Sequence, residues 1–418
     1  MNKKNILLIS YFFPPFAGGG VVRIKSIFNF LIEKNYNVSV LTATSDSYPA
    51  FYELEPENSE SKKITRIKLP FSKNIVGSMN KHIVSTTKTS SGSNIKKKIK
   101  SFFVPDEYAF WAFKSARAGI KLCKKEKIDV LFCTGPPFSA FLSGYLISKF
   151  YNCDLMLDYR DLWTQNPFLK KSFLANKLNR FLERKILRKA KYVITTNPKA
   201  ETQLRNFEPK IAKKINVIHN GYVYKPSITE IAYPFLNNSG FINIVYSGSL
   251  TKNRTPEYFF EALQSFKKYN FKISFLGFFD VEHYSLIDKY GLKEKVDVLG
   301  SKTFQESYDY LVKNADVLLV FQRNSDGGKT AIPGKLYEYL AMQKPVLCYD
   351  DDEGAMTDFL NTLGLKTIRY NDVNASKLLM DKIFSDYSGF LKSQRLSNDM
   401  IEKFDRKNQN EKLINLLS

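Results

Sequence analysis

Residues 5–43 read NILLISYFFPPFAGGGVVRIKSIFNFLIEKNYNVSVLTA, and the order of the parts decides the fold class. NILLIS is a short apolar run bounded by turn formers, as a strand buried on both faces requires. A Pro/Gly loop follows, and residues 21–34 then carry Ile24, Ile27, Phe28 and Leu31 at helical spacing. After Asn35 the run NVSVLTA reads as a second strand. Strand, glycine loop, helix and strand make one βαβ unit.

The pattern continues outward from this unit. Strands are expected at 129–133 (DVLFC), 154–158 (DLMLD), 192–196 (YVITT) and 215–219 (INVIH), with helical stretches such as 173–191 between them. Around 222–240 the periodicity lapses into a stretch rich in Pro, Asn, Ser and Tyr. A second series then begins, with strands at 242–247 (INIVYS), 271–276 (FKISFL), 296–299, 316–321 (DVLLVF) and 345–349 (PVLCY), and a helix at 256–268. The expected architecture is α/β, with two Rossmann-like doubly wound domains facing across a cleft. Residues 1–225 form the first domain, 226–240 a linker and 241–397 the second. The helical tail 398–418 packs back on the first domain. The lysine- and serine-rich run 81–100 reads as a mobile loop.

The chain has 418 residues, 44% of them apolar, enough for two cores. No stretch approaches the roughly 20 apolar residues that cross a bilayer. The opening MNKKNILLISYFFPP has a short apolar run that Pro14 and Pro15 interrupt, which fits a buried strand better than a leader. Cys123, Cys133, Cys153 and Cys348 form no CxxC pair, and the three histidines stand apart from one another and from the cysteines. Reduced thiols, a cytoplasmic setting and no zinc site are therefore expected. The net charge of +22 is lopsided. Residues 1–225 carry 39 Lys/Arg against 16 Asp/Glu, and the remainder 24 against 25. Either that field serves an anionic partner (phospholipid headgroups, a pyrophosphate-linked lipid, nucleic acid) or it serves solubility alone.

Four stretches carry chemistry. In YFFPPFAGGG the glycines Gly18, Gly19 and Gly20 let backbone N–H groups approach a phosphate or sugar at a helix start, or simply make a tight turn. The third glycine of GxGxxG is missing, and no carboxylate ends the second strand, so this is not a dinucleotide fingerprint. DYRDLW at 158–163 follows a strand, which puts Arg160 and Asp161 at the sheet edge that binds ligands; they contact a ligand or pair with each other. VYSGSLTKNRTPEYFFEAL at 245–263 sets Gly248, Ser249, Lys252 and Arg254 between strand and helix, a diphosphate clamp in which an arginine grips two oxygens. GGKTAIPGKLYEYLAMQKPVL at 327–347 enters a helix near Pro333. There Gly334 permits close backbone approach, Lys335 adds charge before Leu336, and Glu338 can accept two bonds from vicinal ribose hydroxyls. Its GKT is no nucleoside-triphosphate loop, because Arg323 stands where that motif needs glycine. Two weaker signals remain. HNG at 219–221 is a tight turn whose His219 reads as structural rather than as a proton shuttle. IKKKIKSFFVPDEYAFW at 95–111 either lies on an anionic membrane or is a solvated basic loop.

Taken in order, PPFAGGG, PDEYAFW, TGPPFSA, YRDLW, HNG, YSGSL and IPGKLYEYLA resemble the family 4 retaining glycosyltransferases of the GT-B fold. The likeness is to bacterial enzymes that assemble surface polysaccharides such as capsule, O-antigen or exopolysaccharide. The resemblance implies a first domain that binds a glycan acceptor, expected to be lipid-linked, and a second that binds a nucleotide-activated sugar. Gly18 to Gly20 would lie near the donor phosphates, Arg254 where the family places a diphosphate-binding lysine, and Glu338 at its ribose-binding glutamate. Arg254, Lys335 and Asp161 are the implied catalytic groups, and Arg23, Arg160 and Asp161 the acceptor side. Retention would use the departing phosphate as base, with no metal or cofactor beyond the donor. The chain departs from the family pattern at three places: Ser249 replaces an arginine, Thr330 the first of two paired glutamates, and Ser139 is the nearest polar side chain to a missing histidine. Two other classes fit in part. A sugar-nucleotide epimerase of the same architecture leaves the basic first half without a use. A non-enzymatic binder of anionic polymers has the charge but no recognition motif.

Overall fold

The computed structural model describes residues 3–16, 19–47, 63–69, 101–166, 171–227, 229–237, 239–323, 328–351 and 353–417. Gly18, Gly327 and the run 81–100 lie outside them. The chain divides into two compact units, one comprising Met1–His219 with Gln409–Ser418, the other Asn220–Asn408.

The first unit is a parallel sheet of seven strands: β1 (Asn5–Ile9), β2 (Asn37–Ala43), β3 (Ile64–Ile67), β4 (Val130–Gly135), β5 (Asp154–Tyr159), β6 (Tyr192–Thr195) and β7 (Ile215–Val217). Their order is β3-β2-β1-β4-β5-β6-β7. The chain leaves β1 in one direction and resumes beyond it at β4, so the crevice above these two strands is the topological switch point where open α/β sheets bind ligands. The helix Gly19–Glu33 follows β1 and buries Val21, Ile24, Ile27 and Leu31 against the sheet. It stops at Asn35, whose φ of +58 suits an asparagine ending a helix. The helix Arg406–Leu417 brings Leu413 and Leu417 into the same core. Residues 398–417 are two helices rather than one. Asn398–Glu402 ends before Phe404, whose carbonyl accepts the Tyr222 N–H at 3.0 Å.

The second unit is a six-stranded parallel sheet: β8 (Ile242–Ser247), β9 (Phe271–Leu276), β10 (Val296–Gly300), β11 (Val317–Phe321), β12 (Val346–Asp350) and β13 (Ile368–Arg369), in the order β10-β9-β8-β11-β12-β13. Its switch point lies between β8 and β11. The strand period of two sorts side chains into two layers. Ile244, Tyr246, Leu319 and Tyr349 fall in one cluster, and Val245, Leu318, Val320 and Cys348 in the other. Buried on both faces, β8, β11 and β12 read as continuous apolar runs, which makes them visible in the sequence.

Candidate active site

The carboxyl edge of the second sheet gathers residues from two motifs. Beyond β8, Gly248 takes a φ of +129, where L side chains are strained. Its neighbour in space is Lys335, in the first turn of the helix Gly334–Ala341. The Lys335 Nζ donates to the Ser247 carbonyl at 2.9 Å and stands 3.7 Å from the Tyr246 ring centroid. A Cβ on Gly248 would sit 3.3 Å from that ammonium. Burial, reinforced by the like charge of Arg254, holds Lys335 well below the usual lysine range. Arg254 is placed by a turn in which its N–H donates to Thr251 O at 2.8 Å. Lys252, from the same loop, is instead drawn to Glu282 on the surface, at 2.7 Å.

The helix Gly334–Ala341 begins at Pro333 without a side-chain cap, which leaves its first N–H groups available to an anion. Among the described residues, nothing lies within 4 Å of the Cβ position of Gly334. Leu336 turns into the core. One turn on, Glu338 is buried and accepts the Val223 N–H at 3.0 Å on Oε1. Its Oε2 has no hydrogen-bond partner among the described residues. Burial raises its pKa against the opposing pull of the Val223 N–H, Arg406 and the Tyr224 N–H. A buried carboxylate oxygen left without a donor is costly, and a hydroxyl pair would satisfy it. Tyr339 packs behind, its hydroxyl accepting the Ser247 N–H at 3.1 Å. Ser249 is exposed, and its carbonyl accepts from the Tyr246 hydroxyl at 3.0 Å. Arg323, at the end of β11, lies 4.5 Å over the Tyr370 ring and 3.5 Å from Asp351. Asp350 ends β12 buried, with Oδ2 on the Thr357 hydroxyl at 2.9 Å and its pKa pushed up to about 7 by burial.

At the carboxyl edge of the first sheet, two arginines tie four motifs together. Arg23 is buried in a fork on Asp158, with Nη2 at 2.9 Å, and its Nη1 donates to the His219 carbonyl at 2.9 Å. Asp158 also accepts from the Thr134 hydroxyl at 2.8 Å. The Arg23 donors therefore face protein acceptors. Arg160 donates to the carbonyls of Gly20, Gly135 and Pro136, and a Cβ on Gly20 would collide with its guanidinium. No salt bridge joins Arg160 to Asp161 among the described residues, and Asp161 is exposed beside it. His219 is pushed down to about 4, by burial first and then by Lys412 and Arg23, and is neutral at ordinary pH. Ser139 is buried, its N–H 3.0 Å from Asp106 of the PDEYAFW stretch. Tyr108 and Trp111 of that stretch pack with Tyr11, at 4.1 and 5.2 Å between centroids, while residues 95–100 lie outside the described part.

Sequence reasoning missed groups whose partners come from elsewhere in the chain. Asp158 stands there only as part of a motif, although it anchors Arg23 and Thr134, and nothing marks Val223 as a partner of Glu338. Glu183 was missed too. Buried in the helix Phe173–Lys189, it accepts from the Tyr159 hydroxyl (3.3 Å), the Thr164 N–H (3.2 Å) and Gln165 (3.1 Å), fixing the loop that carries Arg160 and Asp161. No periodicity marks such a residue.

Comparison with known proteins resolves what this pair of sheet edges belongs to. Residues 17–223 match the model of "Glycosyltransferase Family 4", and residues 228–403 that of "Glycosyl transferases group 1". The chain is a GT-B glycosyltransferase. Three solved structures illustrate the shared fold. HepE of Anabaena, in complex with UDP and glucose, is 12% identical at a TM-score of 0.65, with 99% of each chain covered. The lipopolysaccharide outer core galactosyltransferase WaaB is 11% identical at 0.59, again with 99% of each covered. A putative UDP-N-acetylglucosamine 2-epimerase from Listeria monocytogenes is 13% identical at 0.57, covering 99% of this chain and 95% of that one. At such identities the likeness is one of fold. No curated protein matches the chain. Among the described residues of the glycosyltransferase, no helix is long and apolar enough to cross a membrane.

Proposed function

We propose that the glycosyltransferase moves a sugar from a nucleotide-diphosphate donor to a lipid-linked glycan, with retention of configuration, in the assembly of a bacterial surface polysaccharide at the inner face of the cell membrane. The observation that carries the reading is Lys335 against the strained Gly248, with the Arg254 charge acting on it, one helical turn from a buried carboxylate oxygen that has no hydrogen-bond partner among the described residues. Breaking the sugar–phosphate bond leaves negative charge on the diphosphate and positive charge on the anomeric carbon. Lys335, Arg254 and the uncapped N–H groups after Pro333 stabilise the leaving group, and Glu338 holds the ribose through its hydroxyls. In this reading the first unit takes the acceptor. Asp161, exposed beside Arg160, orients the acceptor hydroxyl, and Arg23 holds the floor of that edge through Asp158. The surface-glycan assignment is supported by the motif resemblance and by the fold shared with an outer core galactosyltransferase. The epimerase alternative shares the fold too, but both family models are those of transferases. Binding of an anionic polymer alone leaves the Glu338 oxygen unexplained.

The test is a thermal-shift screen against UDP-, GDP-, ADP- and dTDP-sugars. One class should raise the melting temperature, and Glu338→Ala and Arg254→Ala should each abolish the rise. In turnover, Arg254→Ala should cost about 3 kcal/mol of barrier, the scale of a lost oxyanion donor. Unchanged shifts in both variants would end the reading.

A further inference from the structure

We infer that the outer face of the helix Phe173–Lys189, together with Phe102 beside its start, is the surface by which the protein docks on an anionic phospholipid bilayer. The helix reads FLANKLNRFLERKILRK and turns Ala175, Asn179, Glu183, Ile186 and Leu187 inward. Outward stand Phe173, 87% exposed, Leu174 at 66%, Phe181 at 58% and Leu178 at 49%. The chain segment at its start is held there by two bonds: the Ser172 N–H donates to Ser101 O at 3.1 Å, and the Lys171 Nζ to Phe103 O at 3.1 Å. Between those anchors Phe102 is 61% exposed. Single exposed apolar residues are ordinary, but a run of this size on one element marks a contact surface.

Charge selects the occupant. Lys177 and Lys185 are exposed on the same helix, and the Lys185 ammonium lies 4.5 Å over the Phe181 ring. Arg184 and Arg188 reach Glu208 at 3.8 and 2.8 Å. Glu183, the helix's one acid, is buried, so the outer face presents phenylalanine, leucine and lysine with no carboxylate of its own. That composition matches a headgroup layer: apolar side chains enter the acyl boundary while ammonium groups meet lipid phosphates. A second copy of the chain would bring like charges together across a twofold contact. A nucleic-acid duplex would engage the lysines and leave Phe173 and Phe181 in water. The inference names the membrane contact of the sugar-transfer reading above and rests on it, yet it is tested without turnover.

The full chain is sedimented with vesicles of phosphatidylcholine, and with vesicles that also contain phosphatidylglycerol. Wild type should bind the mixed vesicles and be released by salt. Phe173→Ser with Phe181→Ser, and separately Lys177→Glu with Lys185→Glu, should each weaken binding at least about tenfold. Both should keep the nucleotide-induced thermal shift, which shows them folded and separates this failure from failure of the donor site. Variants that sediment like wild type overturn the inference, as does equal binding to neutral vesicles. A dimer in solution that the Phe variant dissolves assigns the face to a second copy, and retention on DNA lost in the Lys variant assigns it to nucleic acid; either result also overturns it.

Discussion

Lys335 is held in an unfavourable place for a cation: burial and the nearby Arg254 charge oppose the ammonium, although the Tyr246 ring and the Ser247 carbonyl favour it. An arriving diphosphate reverses that balance, because its negative charge favours the ammonium form. The pKa is low without ligand and rises with it, so binding takes up protons and tightens as the pH falls through the range between the two values. Calorimetry of the nucleotide sugar in two buffers of different ionisation enthalpy should give different apparent heats, and Lys335→Met should remove the difference. Identical heats in wild type would rule the coupling out. At Gly248, alanine meets both the φ of +129 and the ammonium 3.3 Å away. Gly248→Ala should cost roughly 1–3 kcal/mol in urea unfolding and weaken the nucleotide shift, whereas the same change at Gly334, where none of the described residues lies within 4 Å, should leave stability near wild type.

At the scale of elements, the helix Phe173–Lys189 positions the DYRDLW loop through Glu183, whose pKa burial pushes up to about 7. An unfolded glutamate titrates near 4.5. Between those two pH values the folded state holds a proton that the unfolded state has released, so this group's contribution to stability falls as the pH rises across that window. Glu183→Gln should flatten the pH dependence of the melting temperature there, an effect of up to about 3 kcal/mol. It should also loosen the loop that carries Asp161. A slope unchanged by the substitution would show that Glu183 titrates normally. These elements were unequally legible. β8 and β11 declare themselves by continuous apolar runs, and the helix after Gly18 to Gly20 by its 3.6-residue period. β3, four residues at the sheet edge with no buried side chain, and β13, two residues long, carry too little apolar signal to be seen. The break before Arg406 is invisible for another reason: it is set by Tyr222 pairing with Asp405 from far along the chain. Lys335 was noticed for its charge, but its contact with Ser247, 88 positions away, is a product of tertiary folding.

For the whole molecule, the uneven charge and the shared closing helix matter most. The cationic excess belongs to residues 1–225, which locates any salt-sensitive association in the first unit. Leu413 and Leu417 are buried in that unit's core although they lie at the far end of the sequence. Leu413→Ala should cost about 3 kcal/mol, read as a lower transition for the first unit, with the nucleotide-shifted transition of the second left in place. A single transition moved as a whole would show that the two units unfold together. The return of Gln409–Ser418 to the first unit also orders biosynthesis. A ribosome must translate all of Asn220–Asn408 before the piece that seals the earlier core emerges, a wait on the order of tens of seconds. Any polypeptide released before Gln409 lacks Leu413 and Leu417, so the part of the earlier core that they cover stays open to solvent.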